Sequence, residues 1–461
     1  MKKQFFLKLY SALFIGICAV PLVCIPFVKA DSSAEKKTPV KFPSVMTEDK
    51  KINFDYFSQL DNWFSENFAF RQQFVNADSR IRTSLTKTSP NHDVIQGSDG
   101  WLYYGETTDD YLNINTLSQR EINNIAHNLR MIDEYCKENR AEFVFFSAPD
   151  KNSVYPENMP FNYVPSDNKN NYALLSEELA DDSFFLDMKT ALLETDSSIP
   201  LYHKTDTHWN NLGAYAGHVA IMNRLDLTPC NITGGWYTKN NHLGDLAEMI
   251  YPTEKPKDTQ VYSNYEFSYT YQSLFRGLMD VTINTANENA EGNLLMFRDS
   301  FGSAILQYMA ESFNSAEFSR VVPYRINNIE NKTVVLEIVE RNLGNLQKYA
   351  PVMPAPVEDI SGLSPEIYSD GDEIIETEES GVFMHIYGLL PEKYFSGDKH
   401  TIYIEADGII YKAFNCFEDE LLKREGEHNG NGFSLYVPTN TNTENIKVTV
   451  VNSDGKTVAS H

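Results

Sequence analysis

The sequence is poor in cysteine, in basic charge and in long apolar runs. Of its five cysteines, Cys18 and Cys24 fall in one apolar segment. Cys136, Cys230 and Cys416 remain, odd in number and widely spaced, which is neither a disulfide framework nor a zinc pattern. They read as buried thiols. Basic residues number 39 against 64 acidic ones, a formal charge of -25. Such a surface repels phosphate backbones, so nucleic acid is not an expected partner, and neutral or cationic polymers remain. Past residue 30 no stretch is long and apolar enough to span a membrane.

What is present begins with the first thirty residues. They carry Lys2, Lys3, Lys8 and Lys29 and no acid; without them the balance is 35 basic against 64 acidic groups, or -29. From Leu9 to Val28 there is no charge, a length of about 20 residues that suits a membrane span. Val28-Lys29-Ala30 resembles a small-residue cleavage site. A cleaved signal peptide and an uncleaved anchor with N-terminal membrane contact both fit, and both export the rest of the chain. The segment Pro21-Leu22-Val23-Cys24 lacks the small residue expected before a lipidated cysteine.

With 461 residues, 42% hydrophobic and 13% aromatic, two or three domains with real cores are expected. Residues 31–50 are polar and rich in proline and lysine, which predicts a tether. Residues 51–87 repeat apolar positions at three- and four-residue intervals and predict helix. "VIQGSDGWLYYGE" (94–106) predicts a hairpin about Ser98-Asp99-Gly100. An amphipathic helix over 119–140 precedes the apolar run "AEFVFFSAPDK", a buried strand with a functional loop after it. Helix, a short strand near Phe184–Leu186, and helix again lead to a further helix from about Asn211 to Leu225. "NLLMFRDSFGSAILQYMAESF" reads as strand, turn, helix, and 333–346 as a last strand with a turn or helix. Strands alternating with helices predict an α/β sheet with helices on both faces over 51–346. A Pro-rich linker (347–365) follows, and alternating strands with Asp-Gly turn signals predict a small all-β sandwich over 366–461.

"YHKTDTHWNNLGAY" (202–215) carries the chemistry. Asp206 and His208 stand at i and i+2, so in an extended segment their side chains share one side. A carboxylate there can orient an imidazole and stabilise its cation. Two other readings stay open: a metal site using His203, Asp206 and His208, for which further ligands are not obvious, and an ordinary polar loop. A base needs a nucleophile, and Ser300 is the best candidate. The apolar run Leu294–Phe297 delivers it to a turn with a helix starting just after, where backbone N–H groups can cradle an oxyanion. A serine in that position also serves as a plain helix cap.

The stretches "TDTHWN", "FRDSFG", "VIQGSDGWLYYGE", "SAPDKNSVYPE" and "HLGDLAEMI" together resemble the DHHW family, which goes with the alginate O-acetylation proteins AlgJ and AlgX. "ENFAFRQQF" (66–74) resembles the segment before that group's catalytic domain. The likeness covers roughly residues 51–346 and does not clearly reach the tail. It implies an SGNH-hydrolase-like domain and a Ser-His-Asp triad, with Ser300 as nucleophile, His208 as base and Asp206 as its orienter. It also implies transfer of acetyl groups to hydroxyls of an exopolysaccharide or cell-wall polysaccharide, supplied by a membrane-bound O-acyltransferase. Arg298 stands where many SGNH enzymes have glycine, which puts the surrounding oxyanion geometry in doubt.

Lys151, Arg298, Trp209 and Tyr104 are candidates for the site rim or for substrate binding; solvated, structural or core roles compete for each. Trp101, Tyr103 and Tyr104 would make a sugar platform or a core. Asp245 would support the site or cap a helix. No cofactor and no metal are expected. The β-domain would bind polymer or serve as a structural cap. An acetyl esterase and a non-catalytic polysaccharide-binding protein are the rivals to the transferase.

Overall fold

The computed structural model describes residues 2–25, 27–28, 40–47, 50–82, 89–251, 255–368, 372–417, 421 and 431–460. Lys29 and Ala30 of the expected cleavage site, most of the tether (31–39, 48–49) and the end of the 51–87 helical stretch (83–87) lie outside the described residues. The apolar N-terminal segment forms a helix, Lys2–Cys24. Its window Gln4–Pro21 is long and apolar enough to cross a membrane, judged by length and composition. The next predicted helix is two, Tyr56–Asn67 and Arg71–Ile81, broken at Phe70, whose φ is 63°.

The centre of the molecule is a six-stranded sheet. Its strands are β1 (Glu142–Ala148), β2 (Thr270–Tyr271), β3 (Thr282–Ala286), β4 (Asn293–Phe297), β5 (Ser315–Ser319) and β6 (Thr333–Val339). They lie in the order β1-β6-β4-β5-β3-β2. β1, β6, β4 and β5 are parallel, and β3 and β2 join antiparallel. The short strand predicted near Phe184–Leu186 is a parallel bridge from Phe185 to Phe145 on the outer edge of β1, with Phe145 N–H on Phe184 O at 2.9 Å and Leu186 N–H on Phe145 O at 3.0 Å.

Both faces of the sheet are covered, which is why its strands read as unbroken apolar runs and not as alternation. Val144, Phe146 and Ala148 pack on one side with Ala214 and Ile221 of the helix Asn211–Arg224 and with Ile305 and Met309 of the helix Gly302–Ser312. Phe143 and Phe145 pack on the other with Ile122, Ile125 and Leu129 of the helix Gln119–Glu138. That helix starts at Ser118 in a capping box closed by Glu121. The hairpin expected at 94–106 is present, pairing Val94–Gln96 with Leu102–Tyr104.

The tail is a β-sandwich of a five-stranded and a three-stranded sheet, closed over Ile386, Ile402, Ile404, Leu435, Val437, Val448 and Val450. It does not hang on a free linker. Ala350 and Met353 are fully buried, Val352 bridges to Arg325 and Pro354 to Tyr436. Phe414, Cys416 and Tyr436 of the tail join the core behind the helix Gln119–Glu138. Asn128 and Asn415 tie the seam, with Asn415 N–H on Asn128 Oδ1 at 2.8 Å and Asn128 Nδ2 on Asn415 O at 3.1 Å. Small apolar residues between the prolines fill this seam, so a composition that suggested a spacer makes a packed joint.

Candidate active site

β4 runs buried to Phe297, and the chain turns through Arg298–Phe301 into the helix Gly302–Ser312. Carboxylates hold this turn by its backbone. Asp299 Oδ1 accepts from Phe301 N–H at 2.8 Å, and its Oδ2 accepts from Val339 N–H at 2.9 Å, at the end of the neighbouring strand β6. Glu337 Oε2 accepts from Asp299 N–H at 2.9 Å. Burial, then the charge of Asp299, pushes the Glu337 carboxyl well above the usual range. The packing is close enough that a Cβ on Gly302 would come within 2.5 Å of Arg298 Cβ and 2.9 Å of Glu337 Oε2. Ser300 is left at the carboxyl end of a central parallel strand.

The other half of the site is the irregular loop from Tyr202 to Trp209, closed by an antiparallel bridge between those two residues. His208 Nδ1 meets Asp206 Oδ1 at 2.7 Å, and His208 Nε2 meets Ser300 Oγ at 2.9 Å. An ionised carboxylate only accepts, so Nδ1 carries the hydrogen and Nε2 presents its lone pair to the serine hydroxyl. Asp206 is saturated: Oδ1 also accepts from His208 N–H at 3.0 Å, and Oδ2 accepts from His242 Nε2 at 2.9 Å and Asp245 N–H at 3.1 Å. Burial opposes the charge of Asp206, but the hydrogen bonds from His208 and His242 outweigh it and hold the carboxyl far below its ordinary value. Burial likewise disfavours a charged His208, yet the hydrogen bond and charge of Asp206, with help from Asp245, raise its pKa above the ordinary imidazole value.

These residues open on a cleft of about 730 Å³. His203, Asp206, His208, His242 and Ser300 share its lining with Tyr269, Tyr271, Phe275, Leu278 and Met279, which make a largely apolar wall.

The structure moves several residues expected at the rim. Lys151 is 4% exposed and lies behind the loop. Its Nζ donates to the carbonyls of His203 (3.1 Å), Lys204 (3.0 Å) and Asp206 (2.5 Å), so each of an ammonium's three hydrogens finds an acceptor. Burial pushes its pKa down to about 7, against the charges of Asp206, Asp245 and Asp258. Arg298 is also 4% exposed and spends its guanidinium on Ser303 Oγ and the carbonyls of Leu278, Asp280 and Asp299. Trp209 is buried, and its Nε1 donates to Phe301 O at 3.0 Å, pinning the histidine loop to the serine turn. One edge reaches the cleft lining, but its hydrogen bond faces inward. Tyr104 sits outside the cleft under the Arg341 guanidinium, 5.6 Å from its ring. Trp101 and Tyr103 are core residues against which Lys151 packs. Lys151, Arg298, Trp209, Trp101 and Tyr103 are buried, and Tyr104 is half-buried.

His242 is the residue that the sequence reading passed over. It ends the strand Trp236–His242 of a hairpin with Asp258–Ser263, and its ring stacks on His203 at 3.7 Å and 7°. It is the first residue of "HLGDLAEMI", so the stretch was visible although its histidine was not singled out. Gly244, two residues on, is required by close approach: a Cβ there would lie 2.1 Å from Thr205 O. Asp245 does two jobs. It opens the short helix Asp245–Ile250, and it accepts from Thr207 N–H at 2.8 Å and Thr207 Oγ1 at 2.6 Å. His203 Nδ1 donates to Thr259 O at 2.9 Å, which leaves its Nε2 lone pair, but His203 is not among the described donor groups close enough to share one ion. Donor atoms of Asp206, His208 and Asp245 do lie within 4.8 Å of one another. Those of Asp206 and His208 are already engaged with each other.

Residues 94–281 match the family model described as the SGNH hydrolase-like domain of acetyltransferase AlgX. That stretch contains Asp206, His208 and His242 and ends before Ser300. It bears out the resemblance to the AlgX and AlgJ group and the SGNH-like reading of the α/β domain. No curated protein matches the chain. Among solved structures, PatB1 of Bacillus cereus is similar at 17% identity over 55% of this chain and 97% of its own, with a TM-score of 0.44. A DHHW family protein from Eubacterium siraeum is similar at 17% identity, over 55% of this chain and 93% of its own, with a TM-score of 0.42. The O-acetyltransferase domain of Pseudomonas putida AlgJ is similar at 17% identity over 59% and 95%, with a TM-score of 0.33.

Proposed function

We propose that this chain is an extracytoplasmic O-acetyltransferase that moves acetyl groups onto sugar hydroxyls of an exopolysaccharide or cell-wall polysaccharide. Acyl transfer is the chemistry of the group whose family model it matches. The observation that carries the reading is the unbroken line Asp206 Oδ1–His208 Nδ1, His208 Nε2–Ser300 Oγ, at 2.7 and 2.9 Å, opening on a cleft.

In this mechanism His208 Nε2 takes the hydroxyl proton as Ser300 Oγ attacks the carbonyl carbon of an acetyl ester or thioester donor. The donor's bond to its leaving group breaks, the leaving group takes the proton from His208, and the acetyl stays on Oγ. A sugar hydroxyl then gives its proton to His208, attacks the same carbon and leaves as the acetylated glycan, while Ser300 Oγ recovers the proton. Asp206 stabilises the imidazolium of both halves. A membrane-bound O-acyltransferase is the proposed donor source, and the helix Lys2–Cys24 would bring the domain to the membrane as signal or anchor.

Brief exposure to an activated acetyl ester followed by intact-protein mass spectrometry tests this. One acetyl group on Ser300, absent in Ser300→Ala, is expected. Equal slow ester loss in both proteins would overturn the assignment in favour of a binding protein. Adduct formation with release of free acetate, unaffected by any glycan, would make it an esterase.

A further inference from the structure

We propose that the acceptor is an uncharged glycan, one of whose sugar rings packs on the Tyr271–Phe275 wall of the cleft, and not a uronic-acid or phosphate-bearing polymer. This rests on the acetyl-transfer reading above and adds the class of acceptor to it.

The wall is built for a flat, weakly polar face. The Tyr271 and Phe275 rings stack at 4.0 Å and 7°, and Tyr269 meets Tyr271 edge-on at 5.6 Å and 86°. Tyr271 is 38% exposed, so the stack is open to a ligand. A pyranose offers just such a face in its axial C–H groups, with hydroxyls around the rim. Asn211, Gln260, Ser303 and Gln307 in the same lining supply neutral donors and acceptors for those hydroxyls.

The charges point the same way. Among the described residues lining the cleft there is no lysine or arginine. The two cations that the sequence set beside the catalytic motifs, Lys151 and Arg298, are both buried; Lys151 donates to internal carbonyls, and the terminal nitrogens of Arg298 donate to internal carbonyls and a serine. Arg341, near His208, is paired with Asp150 at 2.5 Å. Arg276, on the loop that carries Phe275, is exposed, and Arg320 Nη1 meets Met279 Sδ at 3.2 Å; both stand outside the lining itself. Each carboxylate or phosphate of a polyanion bound among the lining residues would therefore meet Asp206, on a chain of net charge -25, with no lysine or arginine among the described lining residues to replace its hydration. An uncharged sugar gives up only hydroxyl hydration, which the amides restore.

The experiment separates the two half-reactions. The full chain is first acetylated on Ser300 with an activated ester and followed by intact mass. It is then offered unsubstituted gluco-, xylo- and manno-oligosaccharides and chito-oligosaccharides, beside oligouronates of matched length. At least one neutral series should discharge the adduct at least ten-fold faster than the oligouronates, with the acetyl group recovered on the glycan. In Tyr271→Ala the ratio of discharge by that glycan to discharge by water should fall at least ten-fold. Discharge by oligouronates at an equal or greater rate, discharge by water alone whatever the glycan, or an unchanged ratio in Tyr271→Ala would overturn the proposal while leaving the acetyl-serine in place. Absence of an adduct on Ser300 would be a different result, the failure of the acetyl-transfer reading itself.

Discussion

The two halves of the candidate site are held in place by different physics. Ser300 follows a buried parallel strand into a helix, and the turn between them is fastened through backbone N–H groups to Asp299 and Glu337. Its position follows from topology, the carboxyl end of a strand in the middle of a parallel sheet. The loop that carries Asp206 and His208 has no such frame. It is irregular, and its carbonyls converge on one buried ammonium, Lys151, while its side chains lean on Asp245, Asp258 and His242. A candidate nucleophile held this way should tolerate change in its neighbours as long as the sheet stands. A candidate base held this way depends on a polar network in which each member leaves another unsatisfied when removed.

This contrast can be broken or sharpened by substitution, beginning with the largest effect. His208→Ala removes the base itself, and the acetylation rate of Ser300 should fall by roughly 10²–10⁴-fold, while the buried Asp206 loses a partner at a cost of about 1–3 kcal/mol of stability; a smaller rate loss would mean that another group takes the proton. Lys151→Met fills similar volume but strands three carbonyls. It should cost about 3 kcal/mol of stability and lower the acetylation rate about 100-fold by loosening the loop. A variant that keeps wild-type melting temperature and rate would show that the loop stands without its clamp. Gly302→Ala probes the other half, since its Cβ meets Arg298 and Glu337. About 1–3 kcal/mol of overpacking strain is expected, read by denaturant unfolding, with a rate loss below that of Lys151→Met if topology carries Ser300.

The smallest effect concerns pH. His208 must be neutral to accept a proton, and its pKa is raised above the ordinary imidazole value by Asp206 and Asp245 against burial. Activity should therefore drop on acidification through a pKa higher than that of a free imidazole. Asp245→Asn removes one of the charges that favour the imidazolium. It should move the acid limb of the acetylation profile to lower pH, by less than about one unit for a single neighbouring charge. A shift to higher pH, or none, would detach Asp245 from the base.

Much of this was legible in the chain. Apolar runs of strand length between amphipathic helices announced a sheet covered on both faces, and even the two-residue contact near Phe185 could be placed. Asp206 with His208 and the strand–turn–helix about Ser300 each stood out locally. What was not legible was the environment of charged side chains. Lys151 and Arg298 sit in stretches that look like exposed loops, yet both are buried, because the groups that accept their hydrogens come from the segments 203–206 and 278–280. His242 was missed for a related reason. Its hairpin is polar and mostly exposed, and nothing in its own neighbourhood announces the partner, Asp206, 36 residues away.

By itself, then, the sequence determined the kinds of element, their order, and which residues have the chemistry for acyl transfer, since propensity, periodicity and functional groups are local properties. Only the tertiary structure decided that the last strand of the domain, Thr333–Val339, lies in the middle of the sheet between β1 and β4, that a Pro-rich stretch is a packed seam, and that the two cations that were candidates for the site rim are internal braces. Those are matters of which distant groups surround a residue, and for a charge in particular, burial and partners settle whether it faces a ligand or holds the fold.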